Sequence, residues 1–145
     1  MLCGNGPLLE ALRTEAERAG IADCVQFAGL KSTRELPAYY AFARCLVLPS
    51  TREPWGLVVN EAMASGLPVV VSNRCGSAED LVEHGANGLV FDPSQASALT
   101  DVLHRVGSLK RERLEEMGRR SREIIARYSP EIFAQEVMHL ASHSV

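Results

Sequence analysis

Short runs of consecutive apolar residues alternate along this chain with stretches in which apolar positions return every three or four residues. Cys45-Leu46-Val47-Leu48 is apolar throughout and stops at Pro49. Pro68-Val69-Val70-Val71 is the most β-rich run, and Gly88-Leu89-Val90-Phe91 closes at Asp92-Pro93. Runs without a polar alternate read as strands buried on both faces. Val25-Gln26-Phe27-Ala28 predicts a further short strand, and the segment before Gly4 should feed the first turn as a strand, with only Met1, Leu2 and Cys3 to form it.

Helical spacing fills the intervals. Leu8, Leu9, Leu12, Ala16 and Ala19 fall on one face of a helix opened by Pro7 and ended by Gly20 as a left-handed cap. Ser32 or Thr33 caps a helix through about Ala43, with Leu36, Tyr39, Tyr40 and Phe42 as its apolar members. A helix is expected from about Gly56 to Ser65, stopped by Gly66, and a short one from a Ser77 cap through Val82. Three more follow: about Ser94 to Val106; Arg111 to Arg127, with Leu114, Met117, Ser121, Ile124 and Tyr128 as its stripe; and Pro130 to Ala141, with Phe133, Val137, Leu140 and Ala141. Strand–helix alternation with fully apolar strands predicts an α/β fold, a Rossmann-like parallel sheet covered by helices on both faces.

Composition narrows the class. The 145 residues suit one domain of ordinary size, read here as a single unit over 1–145. Hydrophobic residues are 46% and charged residues 23%, a globular balance that argues against disorder. A net charge of -3 offers nothing to nucleic acid or to an anionic membrane. No apolar run here is long enough to span a membrane and the first residues do not read as a secretory leader, so a cytoplasmic location is expected, with peripheral membrane contact left open. Cys3, Cys24, Cys45 and Cys75 form no C-x-x-C pair and read as small core residues. His84, His104, His139 and His143 are dispersed, with no metal-ligand spacing, so no metal and no cofactor are expected.

The chemistry concentrates in one segment. In an open parallel sheet, ligands bind beyond the carboxyl ends of strands, where loops turn into helix N-termini. Pro49-Ser50-Thr51-Arg52-Glu53-Pro54-Trp55-Gly56-Leu57-Val58-Val59-Asn60-Glu61 occupies such a place. Gly56 lets a ligand approach the backbone, and the free N–H groups of Gly56, Leu57 and Val58 with the helix dipole favour an anion. Glu61, one turn into the helix, would repel phosphate, so its natural partners are neutral donors such as the vicinal hydroxyls of a ribose. Glu53, in the loop, suits sugar hydroxyls on the far side of the phosphates; its plain alternative is a loop carboxylate paired with Arg52. Trp55 reads as packing beneath the loop rather than as a stacking platform.

The stretch from Glu53 through Asn60-Glu61-Ala62-Met63-Ala64-Ser65-Gly66-Leu67-Pro68-Val69-Val70 closely resembles the Glu-x7-Glu signature of family 4 glycosyltransferases. The likeness extends to Gly4-Asn5-Gly6-Pro7-Leu8, Val25-Gln26-Phe27-Ala28-Gly29 and Glu35-Leu36-Pro37-Ala38-Tyr39-Tyr40. Downstream it includes Gly76 with Glu79 and Asp80, and Gly85-Ala86-Asn87-Gly88-Leu89-Val90-Phe91, so nearly the whole chain takes part.

That resemblance implies the C-terminal, donor-binding half of a GT-B fold, lacking its first strand and helix, in an enzyme that retains configuration and needs no metal. It implies that Glu53 is the catalytic-site carboxylate holding donor-sugar hydroxyls. Glu61 would hold the ribose, and the backbone of Gly56, Leu57 and Val58 would meet the diphosphate. The loop at Leu30 and Lys31 would lie near the base. The reaction class is hexosyl transfer, in polysaccharide or glycolipid synthesis.

The family's Arg and Lys for the leaving diphosphate have no match here. They and the acceptor-binding N-terminal domain would precede Met1, and helices over about 111–142 would pack against or cross to that domain. An isolated chain should then be inactive, prone to self-association, and dependent on the missing domain for its acceptor glycan or lipid. The competing class is a non-catalytic module that binds nucleotide sugar or another protein.

Overall fold

The computed structural model describes residues 1–142, the side chains of Pro130, Phe133 and Glu136 excepted; His143 and the Phe133 position of the last stripe lie outside what is described. The chain forms two compact units, one of Met1–Tyr39 and one from Tyr40 onward.

In the first unit, β1 (Leu2–Cys3) pairs in parallel with β2 (Phe27–Gly29), Leu2 opposite Phe27 and Cys3 opposite Gly29. The strand expected at Val25 starts two residues later, because a 3-10 turn over Ala22–Cys24 carries the chain to that point. Helix α1 (Leu9–Arg18) ends as its sequence predicts. Gly20 takes φ +67, its N–H reaches the Glu17 carbonyl, and Ile21 N–H reaches that of Ala16. The Arg13 guanidinium lies 4.6 Å from the centre of the Phe27 ring. Only Ala16 of the predicted apolar face is buried; Leu8 and Leu12 are exposed. Cys3 and Cys24 are also exposed, which corrects their reading as core residues. A two-strand sheet with a single helix has too little apolar surface to enclose them.

Helix α2 spans Leu36–Phe42. Its entry is a capping turn: the Glu35 carboxylate accepts from both the Ser32 N–H (2.9 Å) and the Ser32 hydroxyl (2.7 Å). Phe42, counted among its apolar members, is 88% exposed.

The second unit is built on β3 (Leu46–Leu48), β4 (Val69–Ser72) and β5 (Gly88–Phe91), parallel and in that order. Leu46, Val47 and Leu48 face Val69, Val70 and Val71, which in turn face Gly88, Leu89 and Val90. Alternation along these strands separates two faces. On one, Val47, Val70, Leu89 and Phe91 pack with Leu99, Val102 and Val106 of α5 (Ala96–Gly107). On the other, α3 (Leu57–Ala64) covers β3 and β4 and buries Val59, Ala62 and Met63. Helices therefore cover both faces, as the apolar strands require. Cys45 joins the α5 side half-buried and Cys75 is fully buried.

α6 (Arg111–Ile125) runs along α3, with Leu114, Met117, Ser121 and Ile124 buried as their spacing predicts and Tyr128 half-exposed beyond its end. The approach is close. A Cβ on Gly118 would stand 2.0 Å from the Gly66 carbonyl oxygen, and the buried Ser121 hydroxyl donates to the Leu67 carbonyl at 2.7 Å. Arg120 forks onto both oxygens of Glu83 at 2.6 and 2.8 Å. The short α4 (Ser77–Leu81) precedes that turn; Ser77 is its first residue and caps nothing, its hydroxyl instead standing 3.3 Å from the Cys75 sulfur. Asn87 is wholly buried and ties the turn, accepting from Glu83 N–H and donating to the Leu81 carbonyl. α7 (Pro130–Ser142) follows, with Val137 and Leu140 exposed. No helix among the described residues is long and apolar enough to cross a membrane.

Candidate functional site

The site grows from the end of β3. Pro49 ends the strand, and the chain crosses to the N-terminus of α3 through Ser50–Trp55. At the turn, Gly56 takes φ +86, the left-handed region that only glycine enters freely. Space demands glycine as well, because a Cβ there would lie 2.9 Å from both the Cys75 sulfur and Leu48 Cδ2. Val59 N–H closes the first turn on the Gly56 carbonyl at 2.8 Å, and among the described residues no side chain caps α3. The leading N–H groups therefore stay available, and the positive end of the helix is open to an anion. Leu57 beside them is 68% exposed.

Glu53 stands just before this turn, half-buried. Its backbone is laced to the β4–α4 connection: Glu53 N–H donates to the Arg74 carbonyl at 3.1 Å, and Gly76 N–H to the Glu53 carbonyl at 2.9 Å. Gly76 is required for that approach, since a Cβ there would meet the Pro54 carbonyl oxygen at 2.0 Å. The Glu53 carboxylate accepts from Trp55 N–H at 3.3 Å, and among the described residues it forms no ion pair with Arg52. Trp55 is a brace: its indole N–H donates to Asn60 at 3.0 Å and ties the loop to α3. Glu53 also lines a cleft of about 560 Å³ with Asn73, Arg74, Gly76 and Glu79.

Glu61, on the same helix, is half-buried, and its Oε2 accepts a 2.8 Å hydrogen bond from the Tyr40 hydroxyl. This is a neutral donor, the type of partner its position calls for. Glu53, Gly56, Leu57, Val58 and Glu61 thus belong to one loop–helix unit. Leu30 and Lys31 belong to the first unit, in the loop after β2. Leu30 is exposed, and the Lys31 ammonium lies 5.2 Å from the Tyr39 ring centre; its contact with Tyr39 raises its pKa above the ordinary lysine value.

Sequence reasoning missed the roles of Tyr40, Asn60, Cys75 and Gly76. Tyr40 precedes Glu61 by 21 positions and Cys75 follows Trp55 by 20. Helical spacing links neither pair, so no local pattern could have marked them. Among the described residues, no three His, Cys, Asp or Glu side chains group as metal ligands.

A parallel α/β unit with a helix opening beyond a strand's carboxyl end has the architecture of the C-terminal domain of GT-B glycosyltransferases. Sucrose-phosphate synthase from Thermosynechococcus elongatus superposes with a TM-score of 0.80 at 30% identity, over 96% of this chain and 36% of that one. Anabaena HepE, solved in complex with UDP-glucose, gives 0.81 at 26% identity over 97% of this chain and 40% of its own. The chain belongs to the glycosyl transferases group 1 family, whose model matches residues 1–124.

Two relatives are similar in sequence. The GDP-mannose-dependent alpha-(1-6)-phosphatidylinositol monomannoside mannosyltransferase of Mycobacterium tuberculosis is 38% identical over 85% of this chain and 33% of its own length. The D-inositol 3-phosphate glycosyltransferase of Corynebacterium urealyticum is 34% identical over 97% and 34%. The chain spans about a third of each relative.

Proposed function

We propose that this chain is the donor-binding part of a retaining, metal-independent glycosyltransferase of family 4, which moves a hexose from a nucleoside diphosphate to an acceptor hydroxyl. One observation carries the reading: an uncapped α3 N-terminus opens through an obligatory Gly56 between two half-buried carboxylates, Glu53 and Glu61. The N–H groups at Gly56, Leu57 and Val58 receive the diphosphate, where the helix dipole stabilises negative charge. Glu61 accepts from the ribose hydroxyls and Glu53 from those of the donor sugar. The GDP-mannose dependence of one relative and the UDP-glucose complex of another support a nucleotide-activated hexose as the donor class.

Transfer also requires an acceptor held in line with the donor and cations on the leaving diphosphate. Positioning alone is worth roughly 7–11 kcal/mol of barrier, and loss of one group aimed at developing charge costs about two to three orders of magnitude in rate. We assign these tasks to protein outside the 145 residues, which cover about a third of the relatives above. The acceptor is a glycan or lipid.

The 145-residue chain should bind GDP or UDP weakly, and Glu61→Ala should weaken that binding by roughly 1–3 kcal/mol, the cost of hydrogen bonds lost from a charged acceptor. A radiolabelled-donor assay should show no turnover by the chain alone, and turnover that Glu53→Ala abolishes once an acceptor-binding domain is supplied. Equal calorimetric affinities of wild type and Glu61→Ala would remove the ribose assignment. A thermal-shift screen in which no nucleotide stabilises the chain would favour an interaction module instead.

A further inference from the structure

Glu61 has a partner that the proposed chemistry does not use. The Tyr40 hydroxyl donates to Glu61 Oε2 at 2.8 Å, from α2 to α3, and Tyr40 itself is buried while Glu61 is half-buried. A buried phenol is a short, stiff arm whose ring rotamer is held by packing, whereas a glutamate has three free torsions and loses considerable rotamer freedom when it is fixed. The phenol O–H occupies one acceptor direction on Oε2. It leaves the second direction on that oxygen and both on Oε1 to a ligand.

We infer that Tyr40 is a positioning residue: it sets the plane of the Glu61 carboxylate before the nucleotide arrives, so that the remaining acceptor sites meet the two vicinal ribose hydroxyls together. This rests on the assignment of Glu61 to the ribose and deepens it, because it makes discrimination between ribonucleotides and deoxyribonucleotides depend on a residue that does not touch the ligand. The brace beside it has the same form. Asn60, the preceding residue on α3, is held by the Trp55 indole at 3.0 Å. Two consecutive residues of α3 are thus held by aromatic donors, one from the loop and one from α2. Pre-set geometry lowers the ordering that binding must impose.

The test is calorimetric titration of the chain with GDP and UDP and with the 2′,3′-dideoxy counterpart of each. Wild type should prefer the ribonucleotide by roughly 10- to 100-fold, the range for hydrogen bonds to a charged group. Tyr40→Phe should cut that preference roughly five- to tenfold while leaving dideoxynucleotide affinity unchanged. Glu61→Ala should abolish it. If Tyr40→Phe weakens both kinds of ligand equally, the tyrosine is merely structural and the inference is overturned, with the ribose assignment intact. If wild type shows no preference, or Glu61→Ala keeps it, the ribose assignment itself falls and takes the inference with it. Tyr40→Leu, which also lacks the hydroxyl, provides the same comparison should the phenylalanine variant not fold.

Discussion

At the scale of single residues, Gly56 concentrates two constraints in one position. Its φ of +86 disfavours any side chain, and the space a Cβ would need is taken by Cys75 and Leu48. Gly29 shares the first constraint without the second: its φ is +69, and no atom of the described residues lies within 4 Å of where its Cβ would stand. Gly29→Ala should therefore cost only the left-handed strain, about 1–2 kcal/mol. Gly56→Ala should cost that and the crowding, about 2–4 kcal/mol in all. Urea denaturation of the two variants checks this, and equal losses would mean that Cys75 and Leu48 yield without resistance. The glycine itself was legible in the sequence, since a loop leading into a helix with exposed N–H groups asks for one. The crowding was not, because Cys75 reaches the turn only through the pairing of Glu53 with the β4–α4 connection.

At the scale of elements, contact between α6 and the turn after α4 illustrates how charge supports packing. The Arg120 fork holds the Glu83 carboxyl below the ordinary glutamate value of 4.5. A carboxylate whose pKa is lowered by folding adds stability that is fully present above its unfolded value and is lost as pH falls through the lower folded one. Wild type should therefore melt higher than Glu83→Gln well above pH 4.5, and the gap should close well below it. The pair is partly exposed, so the gap should also shrink in high salt. Melting curves across that pH range test both points; a gap that persists in acid would assign the stabilisation to something other than the ion pair. The stripe on α6 was readable from its spacing, yet that spacing could not say that Gly118 and Ser121 meet the Gly66–Leu67 turn rather than another helix.

At the scale of the whole molecule, several large apolar side chains remain at the surface, among them Leu8, Leu12 and Leu30 in the first unit and Ile132, Val137 and Met138 on α7. Exposed apolar surface drives association when it is contiguous and nothing covers it. The chain should form dimers or larger species as concentration rises, and Met138→Glu should raise the concentration at which they appear. Light scattering over a wide concentration range measures this. A monomer throughout would show that the exposed residues are too scattered to act as one surface.

The amino-acid sequence by itself determined the order of elements, the three apolar strands of the second unit and the stretch of chain that carries the site. It could do so because apolar runs, helical spacing and glycine stops are local consequences of backbone geometry and burial. It also placed Glu53 and Glu61 at one helix N-terminus, since both lie within nine residues of continuous chain. Only the tertiary structure decided what holds this stretch in place: the tyrosine from α2 on the Glu61 carboxylate, and the backbone of Arg74 and Gly76 on the backbone of Glu53. These partners lie about 20 residues away along the chain or are joined by backbone bonds that no side-chain pattern encodes. Burial, too, was settled by assembly. Cys3 and Cys24 resemble Cys75 in residue type, and only the amount of structure folded around each one separates a surface thiol from a core one.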